Sequence, residues 1–234
     1  MNRRTLPLAL FLALIFQASG NGQHAVLQGH RDVVLVKSRQ VGLEGIDAST
    51  LSGTIPEYVF VMFQGMFAII TPALITGAFT NRVSFKGYLI FLVAWLLLVY
   101  FPIVHMVWGG GILSQWGVLD FAGGIAVHAI AGMAALASVF YLGRRRIREK
   151  GPHSIPLVAL GTGLLWFGWY GFNAGSELHV DTITVTAFLN TDLAASFAAI
   201  TWLIIAWIHE KKPKFLGLLT GAVAGLATHD QVLE

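Results

Sequence analysis

No cysteine occurs in the 234 residues, so disulfides, thiolate metal sites and cysteine nucleophiles are all excluded. Charge is scarce as well: Asp, Glu, Lys and Arg make up 12% of the chain, about half the share usual in a soluble domain. Phosphate loop, dinucleotide fingerprint, paired-histidine zinc helix and serine nucleophile elbow are missing too. The chain therefore reads as no enzyme, with no cofactor, no metal site and no nucleic-acid surface. What fills it is apolar: 56% hydrophobic residues and a mean hydropathy of +0.70 mark an integral protein of the lipid bilayer.

The first 20 residues pair Arg3 and Arg4 with the apolar "LPLALFLALIF" and then small residues, the pattern of a secretory signal peptide whose core is too short to span comfortably. An uncleaved anchor is the rival reading. Residues 21–55 hold no run long enough to cross, and are expected outside the cytoplasm. Five spans follow at about 58–81, 87–106, 120–142, 155–175 and 183–208, with Pro72 a kink in the first. A sixth apolar run, 215–227, has 13 residues, short of the ~20 that a straight span needs.

The loops carry the orientation. "NRVSFK", "GRRRIREKGPHS" and "EKKPK" hold two, five and three Lys or Arg, whereas "WGGGILSQWGVLD" and "SELHVDT" hold none. Basic loops stay cytoplasmic, so residues 21–57 lie outside and the 120–142 helix runs inward. Gly217, Gly221 and Gly225, and likewise Gly171 and Gly175, repeat every four residues. Such spacing lets helix backbones approach where lipid gives no hydrophobic drive for association.

Polar residues inside the spans are the candidates for chemistry. His128, eight residues past Asp120, is expected ~12 Å along the helix from it. There it either bonds a neighbouring helix or lines a pore, and desolvation keeps it neutral. Asp120 at the first turn can cap free backbone donors or touch a ligand. Asp192 should face protein or water. Trp108, Trp116, Trp202 and Trp207 at span ends read first as interfacial anchors. Phe63 and Phe67, and Phe172 and Ser176, sit four apart on single helix faces. Ring faces attract a desolvated monovalent cation by roughly 0.5–2 kcal/mol, and a hydroxyl accepts its hydrogen bond. Core packing is the other use of such stripes.

The strings "FQGMFAIITPALITGAF", "HMVWGGG", "DFAGGIAVHAIAGMAAL" and "PHSIPLVALGTGLLWFGWYGFNAGS" together resemble the ammonium transporter (Amt/Mep/Rh) family, most of all its bacterial-type members. The resemblance runs over about 53–227. It implies an all-α polytopic membrane helix bundle, about five full spans and a short sixth segment of an eleven-helix fold with two inverted repeats, in a trimer at the plasma membrane. The domain reading is then 1–20 signal peptide, 21–55 extracytoplasmic without family likeness, 56–227 partial ammonium transporter, and 228–234 divergent tail.

The same resemblance implies residue roles. Phe67, Trp108 and Ser176 would form an outer recruitment site for ammonium, and Phe67 with Phe172 a stacked gate. Phe63 and Gln64 would flank the route, Asp120 would support the site from behind, and His128 would be the first of two pore histidines. The likeness begins at the family's third helix and stops inside its eighth, and none of the later histidines stands in the second pore motif. Five spans cannot close both inverted halves around a pore. The expectation is ammonium or ammonia transport, with the chain alone inactive. The alternative is a non-conducting membrane fragment that associates with full-length protomers.

Overall fold

The computed structural model describes residues 43, 45–145, 151 and 154–228. The stretch read as a signal peptide, most of 21–55, and all but the first residue of the 228–234 tail lie outside them. The chain divides into two compact units, residues 1–120 with 125–146, and residues 121–124 with 147–234.

The first unit opens with a two-residue hairpin, β1 (Leu51–Ser52) antiparallel to β2 (Ile55–Pro56). Helix α1 (Glu57–Phe79) follows and continues through Pro72. Helix α2 (Phe85–Trp95) is capped by the Ser84 hydroxyl, which accepts from Gly87 N at 3.3 Å. A π-helical turn, Leu96–Tyr100, joins it to α3 (Phe101–Trp108). The cause is Pro102, whose ring removes one backbone donor from the ladder. The ladder adjusts by one residue, Phe101 N donating to Leu96 O, and the helix continues without a break.

A four-residue helix, α4 (Ile112–Gln115), lies where the sequence read only a loop. A second π-helical turn, Gly124–Ala129, leads into α5 (Ile130–Leu142), which packs on α1. At the charged ends of these two helices Arg82 Nη1 donates to Gly143 O at 2.9 Å, and Arg145 Nη2 to Gly77 O at 2.6 Å. The basic loops thus also tie helix ends together by filling free carbonyls.

The second unit holds α6 (Ile155–Asn173), a 3-10 turn (Ala174–Glu177), α7 (Thr182–Glu210) and α8 (Phe215–Thr228). Ser154 caps α6, and Asp181 with Thr184 forms a capping box on α7. Asp181 Oδ1 accepts from Ile183 N and Thr184 N at 2.8 and 3.0 Å. These donors, Thr184 N–H foremost, hold the carboxyl below the usual carboxylate range.

Among the described residues five helical stretches are long and apolar enough to cross a membrane: Glu57–Phe79, Phe85–Gln115, Gly124–Leu142, Ile155–Glu177 and Thr182–Glu210. Each overlaps one of the five expected from sequence, with shifted ends, and α8 is the short sixth segment.

Helices α7 and α8 make the most extensive pairing among the described elements, and its cause is the glycine row. A Cβ built on Gly221 would stand 2.6 Å from Trp202 Cβ and 2.7 Å from Ala198 O, and one on Gly225 would strike Ala194 O. At Gly217 it would meet the Trp202 ring at 3.1 Å. Gly171 departs from the packing expected of it: a Cβ there would meet nothing within 4 Å. Four-residue spacing marks a face, but only a neighbouring helix makes that face an interface.

Gly221→Ala and Gly225→Ala are each expected to destabilise the α7–α8 pair by about 1–3 kcal/mol, the usual cost of overpacking. Gly171→Ala should be neutral or better, because alanine favours the helix by about 1 kcal/mol. Thermal unfolding of the three variants in detergent micelles checks both halves of the statement.

Candidate functional site

In the first unit, Phe67 and Trp108 are both buried, at 2% and 3% exposure. Their ring centroids lie 5.8 Å apart with the planes at 86°, and Phe63 meets Phe67 at 5.0 Å and 71°. All three therefore meet edge to face, the arrangement that aromatic quadrupoles favour. Trp116, Trp202 and Trp207, read first as interfacial anchors, are 71%, 44% and 55% exposed. Trp108 is no such anchor.

What holds Trp108 is Asp120. The indole Nε1 donates to the Asp120 carbonyl at 2.7 Å. The carboxylate of the same residue turns the other way, Oδ2 accepting from Ile125 N at 3.0 Å and from Ala126 N at 2.8 Å. Asp120 therefore does cap a helix, but from four residues upstream of its start at Gly124. Gly123, at φ +102, supplies the bend that lets the carboxylate reach back.

That shift moves His128. It lies in the π-helical turn, half-buried, four residues past the start of the helix.

Three buried polar residues line the same unit. Gln64 is 1% exposed, and neither amide atom makes a hydrogen bond among the described residues. Thr71 Oγ1 gives its proton to Phe67 O at 2.6 Å. Tyr100 is fully buried, its ring tilted against Trp95 and edge-on to Phe101. Sequence reasoning passed over Thr71 and Tyr100. Both occur in apolar runs where nothing but burial distinguishes them from a lipid-facing residue.

In the second unit, Ser176 is buried and its hydroxyl donates to Phe172 O at 2.7 Å. Phe172 packs on Trp169, with ring centroids 5.3 Å apart. Asp192, unexplained in the sequence, accepts from the Tyr170 hydroxyl at 2.5 Å, and Trp166 Nε1 donates to that same hydroxyl at 3.0 Å. Phe188 stacks on Tyr170 at 4.3 Å. Nearby, Asn173 Nδ2 donates to Thr191 Oγ1 at 3.0 Å.

The geometry thus brings Phe63, Phe67, Trp108 and Asp120 together in one unit, and Phe172 and Ser176 together in the other. A family model described as "Ammonium Transporter Family" matches residues 14–229. The chain belongs to the ammonium transporter family.

The match takes in the region before residue 53 that carried none of the quoted motifs. An ammonium transporter of Bacillus subtilis is 46% identical over 188 residues, 79% of this chain and 46% of that protein. One of Aquifex aeolicus is 46% identical over 185 residues, covering 79% and 43%. Among solved structures, Candida albicans Mep2 superposes with a TM-score of 0.79 at 36% identity, covering 97% of this chain and 52% of Mep2. A structure titled "Sensor Amt Protein" gives 0.74 at 30% identity. This member of the ammonium transporter family spans about half the length of the curated relatives it matches.

Asp120→Ala removes the acceptor from two backbone donors, and is expected to cost about 1–2 kcal/mol of stability. Asp120→Asn, which keeps an oxygen in place, should recover most of that loss. Unfolding curves check the stability, and near-ultraviolet circular dichroism of Trp108 reports whether the indole loses its fixed setting.

Proposed function

We propose that the chain captures ammonium at the Phe67 and Trp108 rings and passes it, as ammonia, along an apolar path beside His128. The observation that carries this reading is the buried, perpendicular Phe67–Trp108 pair, with its indole pinned by Asp120. A ring held at a fixed angle offers a π face without the entropy cost of ordering it on binding.

By the family resemblance alone, Ser176 is assigned to the same capture site. Its proton is committed to Phe172 O, so the oxygen presents lone pairs, which is what a four-donor cation needs. By the same resemblance Phe172 is assigned with Phe67 to the gate, and Phe63 and Gln64 to the flank of the route, the Gln64 amide offering a donor and an acceptor one turn from Phe67. His128 relays a proton or orients the uncharged guest where a bare cation is costly. Asp120 supports the site without touching the guest. The membrane is the plasma membrane, the basic loops are cytoplasmic, and protomers assemble as a trimer.

Vesicles containing the 234-residue chain, loaded with a pH-sensitive dye and given an ammonium gradient, test the reading. Conduction by the chain gives a saturable pH signal, and the inactivity expected of five spans alone gives none. Trp108→Ala should raise the half-saturating ammonium concentration by about 2- to 30-fold, the equivalent of losing roughly 0.5–2 kcal/mol of cation-to-ring attraction. Saturable flux that ignores Trp108→Ala overturns the capture site.

A second reading is favoured by the coverage of about half of each relative's length. In it the chain does not conduct and associates with full-length protomers. Absence of flux together with co-purification of a tagged full-length family member would select it.

A further inference from the structure

The end of the 3-10 turn and the loop that joins it to α7 hold three groups that neither reading uses. His179 Nε2 lies 3.4 Å from Glu177 Oε1 and 3.0 Å from Asp181 Oδ2, and the three atoms all fall within 4.8 Å of one another. The other ring nitrogen, Nδ1, is 2.8 Å from the Glu177 backbone oxygen. A carbonyl oxygen can only accept, so the proton of the neutral ring sits on Nδ1. Nε2 then points a lone pair at two carboxylates.

Three electron-pair donors thus converge in a loop, "SELHVDT", that contains no Lys or Arg. Such an arrangement needs a cation. The remaining oxygen of Asp181 is already occupied by the α7 cap, which fixes the direction of the one that faces His179. Backbone support of the imidazole and of a carboxylate is the outer-shell pattern that orients metal ligands.

We propose that Glu177 Oε1, His179 Nε2 and Asp181 Oδ2 form a binding site for a divalent transition-metal ion of the zinc class, with water completing the shell. The separations of 3.0 and 3.4 Å bracket the edge of about 3.3 Å that a tetrahedral shell with bonds of about 2.0–2.1 Å requires. One imidazole with two carboxylates selects Zn²⁺ over Mg²⁺ or Ca²⁺, which want more oxygens. The proton is the rival occupant: an imidazolium would satisfy the same two carboxylates.

The test is titration of the purified 234-residue chain in detergent with Zn²⁺ against a chromophoric chelator. One equivalent should bind, unaffected by a large excess of Mg²⁺. Glu177→Gln and His179→Gln should each weaken that equivalent at least about tenfold. His209→Gln, at an exposed histidine elsewhere, should leave it unchanged. Asp181 is spared because it caps α7, and far-ultraviolet circular dichroism confirms that the variants keep their helices. Zinc binding that survives both His179→Gln and Glu177→Gln, or no bound equivalent at all, overturns the proposal and leaves the trio as a protonated ion-pair cluster. The readout is metal binding, so its failure is distinct from a failure of the ammonium reading.

Discussion

Hydrocarbon offers a backbone N–H no water to fall back on, and a helix that begins inside or near it must find acceptors for its first donors within the chain. Asp120 meets that demand, and other features of the first unit follow from how. Its carboxylate takes two donors of the helix that starts at Gly124, and its carbonyl takes the Trp108 indole. One residue therefore fixes both where that helix starts and where a large ring on the preceding helix points. Phe67 then packs edge to face on a ring that cannot swing away. An aspartate that only capped, or only held the indole, would give one of these without the other.

Pairing of helices in the second unit obeys a different economy. Lipid tails are as apolar as leucine, so leucine-rich faces gain little by turning inward. Many large side chains stay outside accordingly, Phe167 and Phe197 among them, while the α7–α8 contact is made where side chains are smallest. The contrast between Gly221, pressed on Trp202 and Ala198, and Gly171, against nothing within 4 Å, shows that the glycine row works only in company. In the first unit a comparable close approach occurs where Gly111 folds back on His105 and Met106, which turns the chain sharply after Trp108.

The spans were legible from the sequence because a span is set by length and hydropathy, and both are local. Basic loops between them were equally plain, although that Arg82 and Arg145 also bind carbonyls of distant helix ends was not. What composition hides is anything that depends on a partner far along the chain. Trp108 and Trp116 look alike in sequence, each at a span end, and only burial separates the ring packed on Phe67 from the one left exposed. The start of the His128 helix was misplaced by four residues for a related reason: "DFAGG" is apolar enough to pass for helix, and the left-handed turn at Gly123 leaves no trace in hydropathy. The turn at Leu96–Tyr100 could have been foreseen, since Pro102 sits where a donor is required. Glu177, His179 and Asp181 were overlooked because alternate residues in a loop carry no periodicity to notice.

Hydroxyl groups in the second unit show how the fold decides which polar atoms remain available. A hydroxyl has one proton to give and lone pairs to receive with, so committing the proton fixes what the oxygen can still do. Thr191 gives its proton to Ala187 O and receives from Asn173. Tyr170 gives its proton to Asp192 and receives from Trp166, so two aromatic donors in series point toward an acid inside a spanning helix. Ser176 gives its proton to Phe172 O by the same rule. Its lone pairs differ from those of the other two only in that no donor among the described residues takes them up. The fold thus leaves that oxygen to act as an acceptor and not as a donor.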